Sequence, residues 1–187
     1  MISDRQGALL QTPMAPVAQA SADQPIRVMV VDDSAVVRGL VARWLEEEPG
    51  PRIEVVARHA NGQLAVEDIG RSAPDVVLLD IEMPVMDGLE ALPLLLAARP
   101  EVRVVMVSTL TQRNAEISFK AMALGAVDYV PKPGTNREIT TLPEFRVEVI
   151  RKVRALAGAH RPGFPLAETV RPPAQFRQRA FSLVPRE

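Results

Sequence analysis

Short apolar runs alternate with amphipathic segments along most of the chain, and this alternation constrains the possible folds more than any other feature. The runs IRVMVV, DVVLL and VRVVMV are almost entirely apolar, which is typical of strands that are buried on both faces. After the first run, Val37, Leu40, Val41, Trp44 and Leu45 recur at the spacing of one helix face. The pattern therefore predicts strands that alternate with helices.

Two further runs, RIEVVAR and VDYV, bring the number of predicted strands to five. Strands that alternate with helices indicate a parallel sheet with helices on both faces. We therefore predict an α/β fold of the flavodoxin-like type. Its doubly wound (βα)5 sheet has five parallel strands in the order 2-1-3-4-5.

The periodic part of the chain is predicted to form one domain over residues 25–157. Residues 1–24 are rich in Ala, Gln and Pro without periodicity, and we predict that they form a disordered tail. Residues 158–187 are rich in Pro and Arg and are predicted to be a linker or tail.

Three residues carry local predictions about where the helices begin, turn or end. Asn61 is a predicted N-cap of the second helix, and Gly125 is predicted to close the fourth helix, on which Ile117, Ala121 and Leu124 share one face. Pro93 is expected near the first turn of the third helix, where a missing N–H has little effect.

Composition excludes several classes of protein. The net charge of −1 argues against bulk attraction to nucleic acid or an anionic membrane, and the lack of cysteine excludes disulfides and thiolate metal sites. No apolar run approaches the length needed to span a bilayer, and Asp4, Pro13 and Pro16 interrupt any signal-peptide core. We expect a cytoplasmic protein with no membrane insertion and no nucleic-acid partner.

Polar residues follow four of the five predicted strands. Asp32 and Asp33 follow the first strand, Asp80 ends the third, Ser108 ends the fourth, and Lys132 follows the fifth. In an open α/β sheet, ligands bind outside the carboxyl ends of the strands. If the first and third strands are neighbours, the three carboxylates meet at one edge of the sheet.

Such a carboxylate cluster suits a hard divalent cation, because like charges otherwise raise one another's pKa. With Mg²⁺, a hydroxyl at Ser108 and a cation at Lys132, the set matches the requirements of phosphoryl transfer, and Asp80 is the best-placed nucleophile. Taken singly, each residue also fits a simpler interpretation as a turn, a helix cap or a solvated loop residue. The convergence at four strand ends favours the site.

The segments VMVVDDSAVVR, VVLLDIEMPVMDGLEAL, VVMVSTLT and GAVDYVPKP resemble the receiver domain of bacterial two-component response regulators, over roughly residues 26–157. The resemblance implies that Asp80 accepts a phosphoryl group from a phosphohistidine on a sensor histidine kinase. It also implies that Mg²⁺ is bound by Asp33, Asp80 and the Glu82 main-chain carbonyl, with Asp32 acting through water.

The same resemblance assigns a conformational switch. Ser108 stands at the switch hydroxyl, Tyr129 at the switch aromatic and Lys132 at the conserved lysine. On phosphorylation, Ser108 is expected to move toward the phosphoryl group and Tyr129 to turn inward, with the fourth helix, fifth strand and last helix as the readout surface. The Lys132–Pro133 bond is expected to be cis.

The long insert GTNREITTLPEF before the last helix is similar to that of chemotaxis protein-glutamate methylesterases. Those proteins carry an N-terminal receiver, a linker and a C-terminal serine hydrolase. No G-x-S-x-G segment is present here, so we expect the regulatory half without the enzyme. A stand-alone receiver, acting as a phosphate-controlled protein-binding switch, is the alternative.

Other functions are less well supported by the residues. A haloacid-dehalogenase-like phosphatase carries a second Asp where this chain has Glu82, and a nucleotide-binding fold carries a Gly-rich loop where this chain has acids. A scaffold with a vestigial site is disfavoured by the intact acids and lysine. We interpret Glu46–Glu48 as a solvated helix end, and His59 and His160 as surface residues without partners.

Overall fold

A computed structural model of the chain describes residues 24–109, 112–133 and 142–158. The predicted N-terminal tail, apart from its last residue, and the predicted linker after Gly158 lie outside the described residues. Most of the insert before the last helix also lies outside them.

The sheet contains five parallel strands in the order β2-β1-β3-β4-β5, as predicted. The strands are β1 (Ile26–Val31), β2 (Ile53–His59), β3 (Val76–Asp80), β4 (Arg103–Thr109) and β5 (Asp128–Lys132). The helices are α1 (Ala35–Glu47), α2 (Gly62–Ser72), α3 (Gly88–Ala98), α4 (Gln112–Ala123) and α5 (Leu142–Gly158).

Two apolar cores cover the two faces of the sheet. Alternate strand residues, such as Val30, Leu78 and Val130, pack with α1 and α5, while their neighbours Val31 and Leu79 pack with α2, α3 and α4. Because side chains alternate between the faces of a strand, strands buried on both faces are apolar throughout. None of the helices in the described ranges is long and apolar enough to cross a membrane.

Polar side chains begin the helices that follow β1, β2 and β3. Asn61 Oδ1 accepts a hydrogen bond from Leu64 N at 3.0 Å, which confirms the predicted N-cap of α2. Asp87 and Glu90 form a reciprocal capping box at the start of α3, which fixes the point where the chain leaves the loop after β3.

Two local predictions about the helices were wrong. Pro93 is the sixth residue of α3 rather than part of the first turn, so the carbonyl of Leu89 loses its usual donor four residues later. Leu124 lies beyond the end of α4 and is 37% exposed, because the helix ends at Ala123 before Gly125 takes a φ of 108°.

Candidate functional site

Three aspartates meet at the carboxyl edge of the sheet. β1 pairs with β3 so that Val31 lies opposite Leu79, and the next residues on the two strands are Asp32 and Asp80. One carboxylate oxygen each from Asp32, Asp33 and Asp80 lies within 4.8 Å of the others. Asp32 and Asp80 are buried, whereas Asp33 is exposed.

Lys132 supplies the counter-charge for the two buried acids. Its Nζ lies 2.5 Å from Asp32 Oδ2 and 2.8 Å from Asp80 Oδ2, and its side chain is 12% exposed. Two residues before each of these three groups, the chain contributes an apolar side chain to the same core. Strand alternation therefore places the ammonium and both carboxylates on one side of the sheet edge.

Asp80 has a perturbed acidity. Burial raises the pKa of its carboxyl to about 6, although the Lys132 ammonium and a hydrogen bond from Ile81 N (2.8 Å) oppose the rise, and the Asp32 carboxylate adds to it. Burial lowers the pKa of Lys132, but the two carboxylates outweigh it and hold that pKa above its ordinary value. At neutral pH the pair is therefore an ion pair with Asp80 mainly ionised.

The oxygen donors of this cluster fit a hard divalent cation. Carboxylates are the protein ligands that Mg²⁺ and Ca²⁺ prefer, and each carboxylate oxygen accepts more than one partner. Asp33 faces solvent, which leaves an approach open to a hydrated ion. The cluster could therefore hold a metal ion beside Asp80.

The loop that joins β1 to α1 is held by a residue that the sequence analysis missed. Arg38 Nη1 donates to the main-chain carbonyls of Asp32 and Asp33, at 2.5 Å and 3.0 Å. Ser34 N donates to Asp32 Oδ1 at 2.9 Å. These bonds fix the backbone from which two of the three acids project.

The loop after β3 is folded tightly against the strand end. A Cβ at Gly88 would lie 2.1 Å from the carbonyl oxygen of Asp80, so only glycine fits, and Gly88 N donates to Ile81 O at 2.9 Å. The Glu82 main chain lies within this loop, and its side chain is exposed. Val85 in the same loop has a φ of 73°.

Ser108 and Tyr129 lie on the neighbouring strands β4 and β5, where Tyr129 pairs with Met106, two residues before Ser108. Ser108 is 1% exposed, and the Tyr129 hydroxyl donates to its main-chain carbonyl at 3.1 Å. The Tyr129 ring is half-buried against the core that includes Met106. The structure thus joins the two residues through the tyrosine hydroxyl and the serine backbone.

The interpretation of His59 as a surface residue without a partner was wrong. His59 Nε2 lies 2.9 Å from Asp68 Oδ2, and the histidine side chain is only 18% exposed. The hydrogen bond from His59, followed by that from Arg71, lowers the pKa of Asp68 although burial opposes it. The missed signal was the position of Asp68 between Ala65 and Ile69, on the buried face of α2.

Three other expectations concern the glutamate triplet, the Lys132–Pro133 bond and His160. Each glutamate of the triplet faces an arginine: Glu46 with Arg58, Glu47 with Arg43, and Glu48 with Arg146. The Lys132–Pro133 bond is trans, contrary to prediction, and trans is the isomer that an X–Pro bond favours by about 0.5–1 kcal/mol. His160 lies outside the described residues.

Comparison with known proteins places these features in a family. The family model "Response regulator receiver domain" matches residues 28–143. A protein-glutamate methylesterase/protein-glutamine glutaminase of Rhodospirillum centenum is 52% identical over 157 residues, covering 82% of this chain and 39% of that protein. A relative of the same description from Rhodospirillum rubrum is 58% identical over 137 residues, 73% of this chain and 35% of that protein. The chain thus spans well under half the length of these relatives.

Solved structures show the same architecture. The response regulator domain of Thermotoga maritima CheB is similar with a TM-score of 0.64 and 37% identity, covering 72% of this chain and 97% of that one. A chain of the CheX–CheY–BeF3–Mg²⁺ complex from Borrelia burgdorferi has a TM-score of 0.58 and 25% identity, covering 71% and 89%. With the family model matched across the sheet and the acidic edge, the chain belongs to the response regulator receiver domain family.

Proposed function

We propose that Asp80 is the phosphoacceptor of this receiver domain and takes its phosphoryl group from a phosphohistidine of a sensor histidine kinase. One observation carries the proposal: the buried Asp80 carboxylate contacts the Lys132 ammonium while two further acids lie within 4.8 Å. A nucleophile, a fixed cation and a set of metal ligands are thereby adjacent, which is the arrangement that phosphoryl transfer requires.

The transfer forms one bond and breaks one. An oxygen of the Asp80 carboxylate bonds to phosphorus as the phosphorus–nitrogen bond breaks, and the electron pair of that bond stays on the imidazole nitrogen. The nucleophile must be ionised. With a pKa of about 6, about nine tenths of Asp80 is ionised at neutral pH. Lys132 can then move its contact from the carboxylate to a phosphoryl oxygen.

The residues proposed to hold Mg²⁺ are Asp33, Asp80 and the Glu82 main-chain carbonyl, with Asp32 acting through water. When bound, the ion supplies positive charge that offsets the negative charge of the phosphoryl oxygens. Asp32 and Asp33 project from a loop that Arg38 holds through their main-chain carbonyls. The Ser108 hydroxyl would donate to a phosphoryl oxygen.

The relatives support a proposal for the wider role. We propose that residues 25–157 are the regulatory domain of a chemotaxis receptor methylesterase, joined through residues 158–187 to a catalytic domain that these residues do not contain. We also propose a cytoplasmic location, because the kinase that supplies the phosphoryl group draws it from ATP. The readout surface would be formed by α4, β5 and α5, including Lys120, Tyr129 and Arg151.

Labelling with acetyl phosphate tests the phosphosite. We expect the wild-type chain to gain one phosphoryl group only when Mg²⁺ is present, and Asp80→Asn to gain none. Glu82→Gln is the matched control, because only the main-chain carbonyl of Glu82 is assigned a role, and it should label like the wild type. Equal, metal-independent labelling of Asp80→Asn would reject the assignment.

A second experiment tests the metal separately. Trp44 is the only tryptophan and lies on α1, so its fluorescence can follow a Mg²⁺ titration. Mg²⁺ should also raise the midpoint of thermal unfolding, since it binds the folded state. Asp33→Ala should remove both responses and leave the fold intact. Unchanged Mg²⁺ affinity in Asp33→Ala would show that the ligand set is wrong.

A further inference from the structure

We infer that Arg38 is a positioning residue for the metal site, which holds the loop between β1 and α1 in the conformation that directs Asp32 and Asp33 toward one ion. The inference rests on the proposed function, because it concerns the same Mg²⁺ site. It adds a residue that acts through the backbone and has no predicted contact with the ion or with the phosphoryl group.

The geometry of α1 brings the guanidinium back over the loop. Arg38 is the fourth residue of the helix, and its backbone N–H donates to Ser34 O at 2.9 Å. Side chains on a helix lean toward its N-terminus, so that an arginine at this position reaches the residues before the N-cap. Its Nη1 there donates to the carbonyls of both Asp32 and Asp33.

This position is unfavourable for a cation unless a specific partner compensates. The N-terminal end of a helix carries partial positive charge, which disfavours an arginine there. The two consecutive carbonyls compensate by accepting charge-assisted hydrogen bonds. The two hydrogen bonds therefore offset the unfavourable placement of Arg38 in the first turn of α1.

The two acids depend on the arginine to different extents. Asp32 is buried, and its carboxylate is also held by Ser34 N and by Lys132. Asp33 is exposed, so packing restricts its side chain less. The bond from Arg38 to the Asp33 carbonyl fixes the peptide from which that side chain projects. Loss of Arg38 should therefore act mainly on Asp33.

Electrostatics and positioning predict opposite results. A guanidinium close to a divalent-cation site repels the ion, so if Arg38 acted only through its charge, its removal would tighten Mg²⁺ binding. If Arg38 acts by holding the loop, its removal weakens binding, because the acids must be ordered when the ion binds. The sign of the change in affinity separates the two mechanisms.

The test is a Mg²⁺ titration by calorimetry of the full chain, without phosphodonor. Arg38→Met should weaken Mg²⁺ binding about tenfold, as removal of supporting groups does at other metal sites. Arg38→Lys keeps the charge but lacks the planar fork, and it should weaken binding by an intermediate factor. Arg43→Met is the control on the same helix, since Arg43 is exposed and pairs with Glu47 at 2.8 Å; its affinity should match the wild type.

The structural control is the free energy of unfolding of each variant and of the wild type, measured in a chelator without metal. It shows whether a variant is folded before its Mg²⁺ affinity is compared. Weaker Mg²⁺ binding by Arg38→Met supports the inference, and equal or tighter binding overturns it. Should Arg38→Met fail to fold, Arg38→Lys decides, and wild-type affinity in that variant overturns the inference. Absence of any Mg²⁺ binding by the wild type would overturn the proposed metal site and this inference together. Binding lost in Asp33→Ala but unchanged in both Arg38 variants would overturn this inference alone.

Discussion

The Lys132 ammonium lies 2.8 Å from Asp80 Oδ2, so the proposed phosphoacceptor is already ion-paired within a buried edge of the sheet. The same nitrogen lies 2.5 Å from Asp32 Oδ2. One cation thus contacts two carboxylates, and it opposes the rise that burial causes in the pKa of Asp80. The balance between burial and this single cation sets how the contribution of Asp80 to stability depends on pH.

Replacement of Lys132 by methionine should destabilise the fold most at neutral and higher pH. The pKa of Asp80 is raised from 3.8 to about 6, so the folded state binds more protons than the unfolded state between these values, and the free energy of unfolding falls as pH rises through them. Lys132→Met raises that pKa further. Loss of one partner of a buried pair costs about 3–5 kcal/mol.

Urea unfolding of Lys132→Met at about pH 5 and about pH 7.5 checks this expectation. The deficit relative to the wild type should shrink at the lower pH, where Asp80 is mainly protonated. Lys120→Met, which changes an exposed lysine on α4, should show no such dependence. A deficit in Lys132→Met that does not vary with pH would mean that the lysine acts through packing rather than charge.

The convergence of Asp32, Asp80 and Lys132 could be predicted from the sequence because four simple rules combine. The apolar runs locate the strand ends, the 2-1-3-4-5 order makes the first and third strands neighbours, and parallel strands place their carboxyl ends on one edge. Strand alternation then selects the face. None of these rules depends on side-chain detail, which is why the fold and the position of the cluster follow from the pattern.

Contacts that depend on side-chain reach were harder to predict. The bonds of Arg38 run backward to residues before the helix, and the pairing of His59 with Asp68 joins a strand end to the second turn of α2. Both contacts join residues whose separation along the chain does not match the period of a helix or a strand, so hydrophobic periodicity does not reveal them. The positive φ of Val85 was also unpredictable, because a β-branched residue is among the least suited to that conformation.

Asp68→Asn should destabilise the fold at neutral pH. The native pKa of Asp68 is lowered below 3.8 by its bonds to His59 and Arg71, so its stabilising contribution is present above that value and is lost as pH falls through the folded-state pKa. Loss of a hydrogen-bonded charge costs about 1.5–3 kcal/mol.

The measurement is the unfolding free energy of Asp68→Asn from about pH 7 down to about pH 3. The difference from the wild type should narrow at the acidic end. Glu67→Gln is the control, because Glu67 is exposed and adjacent, and its effect should stay within about 0.5 kcal/mol. An equal effect of the two substitutions would show that the His59–Asp68 contact contributes no stability.

Val85→Asn should stabilise the protein. Val85 has a φ of 73°, where a β-branched side chain is strained, and it is 76% exposed, so little burial is lost by its replacement. Asparagine tolerates this conformation, and relief of the strain should add roughly 1 kcal/mol. Val36→Asn is the matched control: Val36 is 77% exposed but helical, and valine and asparagine have similar helix propensities. Equal midpoints of thermal unfolding for Val85→Asn and the wild type would contradict the assigned strain.

The hydrogen bond from the Tyr129 hydroxyl to the Ser108 carbonyl should couple the phosphosite to the proposed readout surface. A phosphoryl group on Asp80 adds strong acceptors that draw the Ser108 hydroxyl, and movement of Ser108 carries with it the carbonyl that Tyr129 contacts. A beryllofluoride complex, as a phosphoryl mimic, should shift amide resonances of residues 108–130 far more than those of residues 40–70.

Two substitutions separate the serine hydroxyl from the tyrosine hydroxyl in this coupling. Ser108→Ala removes the hydroxyl that we propose contacts the phosphoryl oxygens, and it should reduce the shifts of residues 108–130. Tyr129→Phe keeps the ring but deletes the bond to the Ser108 carbonyl, at a cost of about 1 kcal/mol in stability, and should reduce the shifts on β5 while those near Ser108 persist. Uniform small shifts, with both variants behaving like the wild type, would mean that the signal leaves Asp80 by a route that does not include this pair.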